Sequence, residues 1–189
     1  MSAEEIIHKR RSIDPNLFTG EIVSDTIVER MLIAANCAPT HGVTEPWRFI
    51  VLTKDAIQAF SQQHAELYKS LTSEEQFAQN KYDKILNRAN KCSHLIICAA
   101  KCGTKSNIPD HEEIAATCCA IENMLLIASE NQVATFWSTG GMFYHPKMKE
   151  ILGFDEQDKM VALLFIGKCA ENAPIKARHS DWKTKVQWK

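Results

Sequence analysis

Apolar positions along the chain fall into two kinds of spacing. Near-continuous runs at Trp47 to Leu52, Leu95 to Ala100, Val133 to Trp137 and Met160 to Ile166 are short and rich in β-branched or aromatic residues, so each predicts a strand. Elsewhere the apolar residues recur at helical intervals. Ile27, Val28, Met31, Leu32 and Ala35 form one such face, and Ile57, Phe60, Leu67 and Leu71 another. Ile114, Cys118, Ile121, Leu125 and Ala128 make a third. The apolar run Met124 to Ala128 within it predicts a central helix surrounded by the rest of the chain.

Punctuation sets the limits of these elements. Ser2-x-x-Glu5 is a capping box, so a helix starts at once and is expected to carry Ile6 and Ile7 inward. Pro15 stops it, Ser24 can cap the second helix, and Pro39 ends that helix. Thr72-x-x-Glu75 predicts another capping box, opening a charged helix toward Asn90. Pro109 and the acids after it mark a helix start, and His145 to Leu152 is a short helix closed by Gly153. Four core strands with helices around them make a mixed α+β or α/β layered domain.

Composition narrows the classes. A chain of 189 residues with 45% hydrophobic and 24% charged residues suits one globular domain, residues 1–189. A net charge of −1 argues against a nucleic-acid partner. Seven cysteines, with no C-x-x-C, point to a reducing compartment, and Cys98 and Cys169 read as small buried hydrophobes. The longest apolar stretch, Met160 to Gly167, is too short to span a bilayer, and the acidic start lacks an apolar signal region, so no membrane partner and a cytoplasmic location are expected. Cys92, His94, Cys98 and Cys102 are of zinc-ligand type, but they are strung along a predicted buried strand, where a clustered four-ligand site is hard to build, so no metal is expected. The tail keeps Trp182, Val186 and Trp188, which need an apolar surface on this subunit or on another.

Nucleotide motifs of the G-x-G-x-x-G and G-x-x-x-x-G-K-[ST] kinds are absent, so a phosphate would have to be held by side-chain cations. Two clusters offer them: Arg10-Arg11-Ser12 at the end of the first helix, and Lys176-x-Arg178 near the end of the chain. On the residues alone, Arg10 and Arg11 fit a helix C-terminus equally well. Between the clusters, the loop Ala38-Pro39-Thr40-His41-Gly42-Val43-Thr44-Glu45-Pro46-Trp47 runs straight into a strand.

These segments, with a Gly-rich turn near residue 140, resemble in order and spacing the FMN-dependent nitroreductase superfamily, and among them its small single-domain members. The resemblance covers essentially the whole chain; A-P-x-x-x-x-x-x-P-W is its most specific piece. It implies a three-layer α+β sandwich: a central mixed or antiparallel sheet flanked by helices, with the C-terminal tail wrapping a dimer partner. It implies FMN at a homodimer interface and NADH or NADPH as reductant. Arg10 and Arg11 would meet the phosphate and ribityl chain, Lys176 and Arg178 would complete the phosphate grip, and Ser12 would donate to a ribityl or ring oxygen. The Thr40–Glu45 loop would reach the flavin ring of the partner subunit, with His41 and Glu45 meeting it and Glu45 accepting from the ring N3–H. His41 is either a proton donor or a residue holding the loop, and Trp47 is expected in the core. Trp137, Ser138 and Thr139 match a flavin-contacting segment, and Ile127 to Gln132 a stretch assigned to the nicotinamide cofactor.

The implied activity is ping-pong: NAD(P)H reduces FMN and leaves, and a nitroaromatic, quinone or similar small acceptor takes its place. No side chain need be an obligatory acid or base. One departure stands out. Where many members carry a basic residue two places after the serine, this chain has Asp14, followed by Pro15. A cation there would stabilise the reduced ring, and Arg48 could replace it only by pointing to the site. Asp14 therefore keeps open a second expectation, a flavin-binding or flavin-storage protein with little turnover.

Overall fold

The computed structural model describes residues 2–174 and 180–189. Its elements run α1 (Ala3–Lys9), α2 (Asp25–Ala35), β1 (Trp47–Thr53), α3 (Lys54–Leu71), α4 (Gln79–Asn87), β2 (His94–Ala100), α5 (Asp110–Glu130), β3 (Ala134–Ser138), α6 (Pro146–Ile151) and β4 (Lys159–Gly167). The four strands form one sheet in the order β1-β2-β4-β3, and every strand pair is antiparallel. The sheet expected as mixed or antiparallel is thus antiparallel.

Alternation along the strands builds the layers. Ile96, Cys98 and Ala100 of β2, with Val161, Leu164 and Ile166 of β4, pack under α2 and α5. Leu95, Ile97 and Ala99, with Leu163 and Phe165, face Ile57, Phe60 and Leu67 of α3 and Met148 of α6. Both strands are covered on both faces, which is why their sequence reads as an unbroken apolar run rather than an alternation. This is the three-layer sandwich expected. Among the described residues, no helix is long and apolar enough to cross a membrane.

Four local expectations change. The Thr72–Glu75 capping box does not form. Thr72 closes α3 instead, its hydroxyl donating to the Tyr68 carbonyl at 2.6 Å, and α4 begins only at Gln79. The Tyr68 hydroxyl accepts from the Ala78 amide at 3.1 Å and fixes that later start. The Ser2–Glu5 box is present, yet α1 has no buried residue: Ile6 is half-buried and Ile7 is exposed, because α1 lies on the outside of α5. Ser24 occupies the α2 cap without a side-chain hydrogen bond there. Cys169 is half-buried, and all seven cysteines are free thiols. In the tail, Trp182 and Trp188 are 58% and 89% exposed, so neither packs on its own domain.

Candidate functional site

The first half of the site lies on a sheet edge. Among the described strands β3 pairs with β4 alone, and the segment after α1 comes alongside its other edge, with Ser12 bridging Thr135 and the Ile13 amide donating to the Thr135 carbonyl at 2.9 Å. Thr135 therefore points its peptide groups outward. The two-residue period turns those of Trp137 to the same edge, where a ligand can use them.

The arginines arrive with this segment. Arg10 is largely buried, and its Nε meets the Glu122 carboxylate of α5 at 3.2 Å. Nη1 of Arg11 donates to the His8 and Arg10 carbonyls at 2.6 and 2.8 Å, as a cation at a helix C-terminus does. Its Nε, however, is a buried donor with no hydrogen-bond partner. Leaving such a donor unmade costs about 1–3 kcal/mol, so it points to an absent acceptor. Both arginines line a cleft of about 450 Å³ with Thr135, Gln132, Lys168 and Glu171. Ser129 and Gln132, from the stretch assigned to the nicotinamide cofactor, lie in the same wall. Lys176 and Arg178 lie outside the described residues. Ala173, three positions before Lys176, lines the cleft.

β3 then runs into the turn at Thr139–Gly141. Ser138 accepts from the Gly140 amide at 3.4 Å. The turn is clamped from behind by His64 of α3, whose Nε2 accepts from the Met142 amide at 2.8 Å. Burial pushes His64 down to about 4, so the ring is neutral at ordinary pH and free to accept.

The second half is the loop before β1. Gly42, Val43 and Glu45 have φ of +59°, +54° and +45°, and the two non-glycine residues pay for that conformation in strain of about 1–3 kcal/mol each. Two acids of α5 hold the loop. Glu112 pairs with Nδ1 of His41, and Glu113 accepts from the Thr44 hydroxyl at 2.7 Å. The Glu45 carboxylate is exposed, with no hydrogen bond or ion pair among the described residues. Trp47 is in the core, its Nε1 donating to Asn36 at 3.1 Å. Arg48 donates to the Glu45 and Trp47 carbonyls at 2.9 and 2.8 Å, which ties it to its own loop. Asp14 accepts from the Asn16 amide at 3.0 Å and starts a 3₁₀ turn.

The structure thus gathers Arg10, Arg11, Ser12, Trp137, Ser138 and Thr139 along one edge, and leaves His41 and Glu45 at the other. The loop enters β1, three strand spacings or about 14 Å from β3. Glu112, Glu113, Glu122 and His64 carry no motif that would have marked them. On sequence, His64 looks like one more member of the Phe60–Leu67 face.

Among the described residues, no group of histidines, cysteines and acids could hold a metal ion. His94 is instead buried between Ser93 at 2.9 Å and Asp25 at 3.1 Å. Burial raises Cys92 to about 12 and Cys102 to about 11, and lifts Cys98 further, so these thiols stay protonated.

The protein is thus a three-layer α+β domain that brings two arginines and free peptide groups together at one sheet edge. The chain belongs to the nitroreductase family, whose model matches residues 7–168. It is 28% identical over 162 residues to a Haemophilus influenzae protein provisionally named an NAD(P)H nitroreductase, covering 85% of this chain and 86% of that one. It is 26% identical over 174 residues to YfhC of Bacillus subtilis, with the same provisional name, covering 92% and 88%. Among solved structures, a nitroreductase-like protein of Bacillus cereus superposes with a TM-score of 0.85 at 24% identity, over 100% of this chain and 96% of the other. A nitroreductase of Bacteroides fragilis with bound FMN gives 0.76 at 19% identity, with full coverage of both chains.

Proposed function

We propose that residues 1–189 form a single FMN-binding domain, and that the protein is an NAD(P)H-dependent FMN oxidoreductase acting on a nitroaromatic, quinone or similar acceptor. The observation that carries this reading is the orphaned Arg11 Nε in a cationic cleft along the β3 edge, in a chain of this family. Bound FMN would supply a ring that accepts hydride and returns it. The chain's own residues bind and orient it. Arg10 and Arg11, with Lys176 and Arg178, hold the phosphate. Ser12 meets the ribityl chain or ring, and the Trp137–Thr139 backbone faces the ring edge.

The working unit is a homodimer. The loop that carries His41 and Glu45 enters β1, three strands along the sheet from β3 of its own chain, so a ring that meets both elements takes the loop from a second copy. The exposed Trp182 and Trp188 fit a tail that covers that copy. Seven free thiols fit a cytoplasmic site of action.

The test is FMN content per chain after purification, followed by anaerobic addition of NADH or NADPH. Wild type should carry flavin and bleach; Arg10→Ala and Arg178→Ala should lose flavin. Full occupancy in both variants would refute the phosphate assignment. Asp14, which places no cation near the ring, supports a second reading, a flavin-storage protein. Flavin retained without bleaching would establish it.

A further inference from the structure

Two residues of the Thr40–Glu45 loop hold a backbone conformation that their side chains oppose. Val43 has φ +54° and Glu45 has φ +45°. For a β-branched residue the left-handed region is an outlier, because Cβ crowds the following carbonyl oxygen. Glycine removes that crowding, and the loop uses one next to Val43. Gly42 has φ +59°, and a Cβ there would stand 2.8 Å from Cδ1 of Ile108. A valine kept where glycine would relax the chain points to a use for its side chain.

That use does not lie in the chain's own packing. His41 pairs with Glu112, the Thr44 hydroxyl donates to Glu113 at 2.7 Å, and the Gly42 carbonyl accepts from Nζ of Lys105. These contacts come from α5 and the segment before it, and they pin the loop from one side. Val43 is 78% exposed, and Glu45 is exposed as well. The two strained residues are therefore two whose side chains turn away from their own domain. A single exposed valine is ordinary on a surface, but one held there by a strained backbone is not. Its branched side chain is also stiff about χ1, so packing it against a ligand costs little rotamer freedom.

We infer that Val43 packs against the apolar body of the flavin ring held by the second copy, beside the polar edge that Glu45 meets. The inference rests on the FMN reading above and deepens it. Such a ring is apolar across its body and polar along one edge. Residues 43 and 45 divide in the same way, a branched hydrocarbon and a carboxylate two positions apart. Pinning the loop from behind sets both side chains before the ring arrives, so the contact needs no rearrangement of the chain.

The test compares Val43→Ile, Val43→Ala and Val43→Gly with wild type, each as the full chain stripped of flavin. FMN is titrated in by the quenching of its fluorescence, and the flavin-free chains are melted at one protein concentration. Val43→Gly should raise the melting temperature by about 1–4 °C, because relief of the left-handed strain outweighs the freer unfolded chain. It should nevertheless bind FMN at least about tenfold more weakly. Val43→Ala keeps the strain and removes the branches, so it should lose affinity by a similar factor and melt within about 2 °C of wild type. Val43→Ile should match wild type in both readings. A valine with only a structural role would give the reverse, a glycine variant that melts lower and one Kd throughout. An unchanged Kd in Val43→Ala, or a Val43→Gly chain that melts below wild type, overturns the proposal. Wild type that fails to bind FMN overturns the reading of function as well, which tells the two failures apart.

Discussion

Gly141 is where the turn and its clamp can be weighed against each other. Its φ is +72°, and a Cβ there would stand 2.8 Å from Cε1 of His64 and closer still to Nε2. Gly141→Ala therefore has two costs. An L-residue in the left-handed region costs about 1–2 kcal/mol. The His64 ring must also swing away, leaving the Met142 amide without its acceptor, for about 1–3 kcal/mol more. Gly153 separates the two terms, since its φ is +73° and nothing lies within 4 Å of its Cβ position. Gly153→Ala should then cost only the first term. At about 2–4 °C per kcal/mol for a chain of this size, Gly153→Ala should lower the melting temperature by roughly 2–8 °C and Gly141→Ala by roughly 4–20 °C. Melts by circular dichroism at one protein concentration give the comparison. In a His64→Ala background the second term should vanish, a coupling of about 1 kcal/mol or more. Equal shifts in the two glycine variants, or no coupling to His64, would refute the clamp.

Three further outcomes follow from the same geometry. Folded His64 titrates near 4 and unfolded His near 6.5, so the unfolded chain binds the extra proton and stability falls as pH drops from about 6.5 to 4, by about 3 kcal/mol in total; urea titrations across that range should show the fall, and His64→Gln should flatten it. Iodoacetamide at pH 8 should label exposed Cys37 and leave Cys98 and Cys102 unmodified until denaturant is added, as peptide mass analysis would show. A chain carrying Arg10→Ala and Arg11→Ala, mixed with one carrying His41→Ala and Glu45→Ala, should form heterodimers with one intact site of two, so isolated heterodimer should hold about half the wild-type flavin; no recovery would mean the loop serves its own chain.

Much of the fold was legible because burial on both faces writes itself as apolar runs. β2 and β4 lie at the centre of the sheet, and their runs fixed them to within a residue. Motif resemblance reached the Arg10–Ser12 and Trp137–Thr139 segments, which the structure brings to one edge. It could not show what holds them. Thr72 illustrates the failure of a local signal: the capping pattern Thr-x-x-Glu is there, but Tyr68, ten residues from Ala78, decides where α4 begins. His64 has the spacing of a core residue and the work of a hydrogen-bond acceptor, a distinction made only by a contact 78 positions along the chain.

α5 shows best how packing and site are joined. Its apolar stripe is the middle of one core layer, as the sequence predicts. Its acids, which look like a solvated face, hold both halves of the site: Glu112 and Glu113 fix the strained loop, and Glu122 holds Arg10. Along the helix, Glu112 and Glu122 are ten residues or about 15 Å apart, so one rigid rod sets loop and arginine in register. On the proposed phosphate role of Arg10, Glu122 also keeps that arginine available. A half-exposed carboxylate is a weak partner that a phosphate can displace, since the dianion offers a desolvated guanidinium more charge and more acceptor oxygens. Arg10 lines the cleft while it is paired with Glu122. Glu122→Gln should accordingly weaken flavin retention less than Arg10→Ala, because it loosens the arginine without removing it.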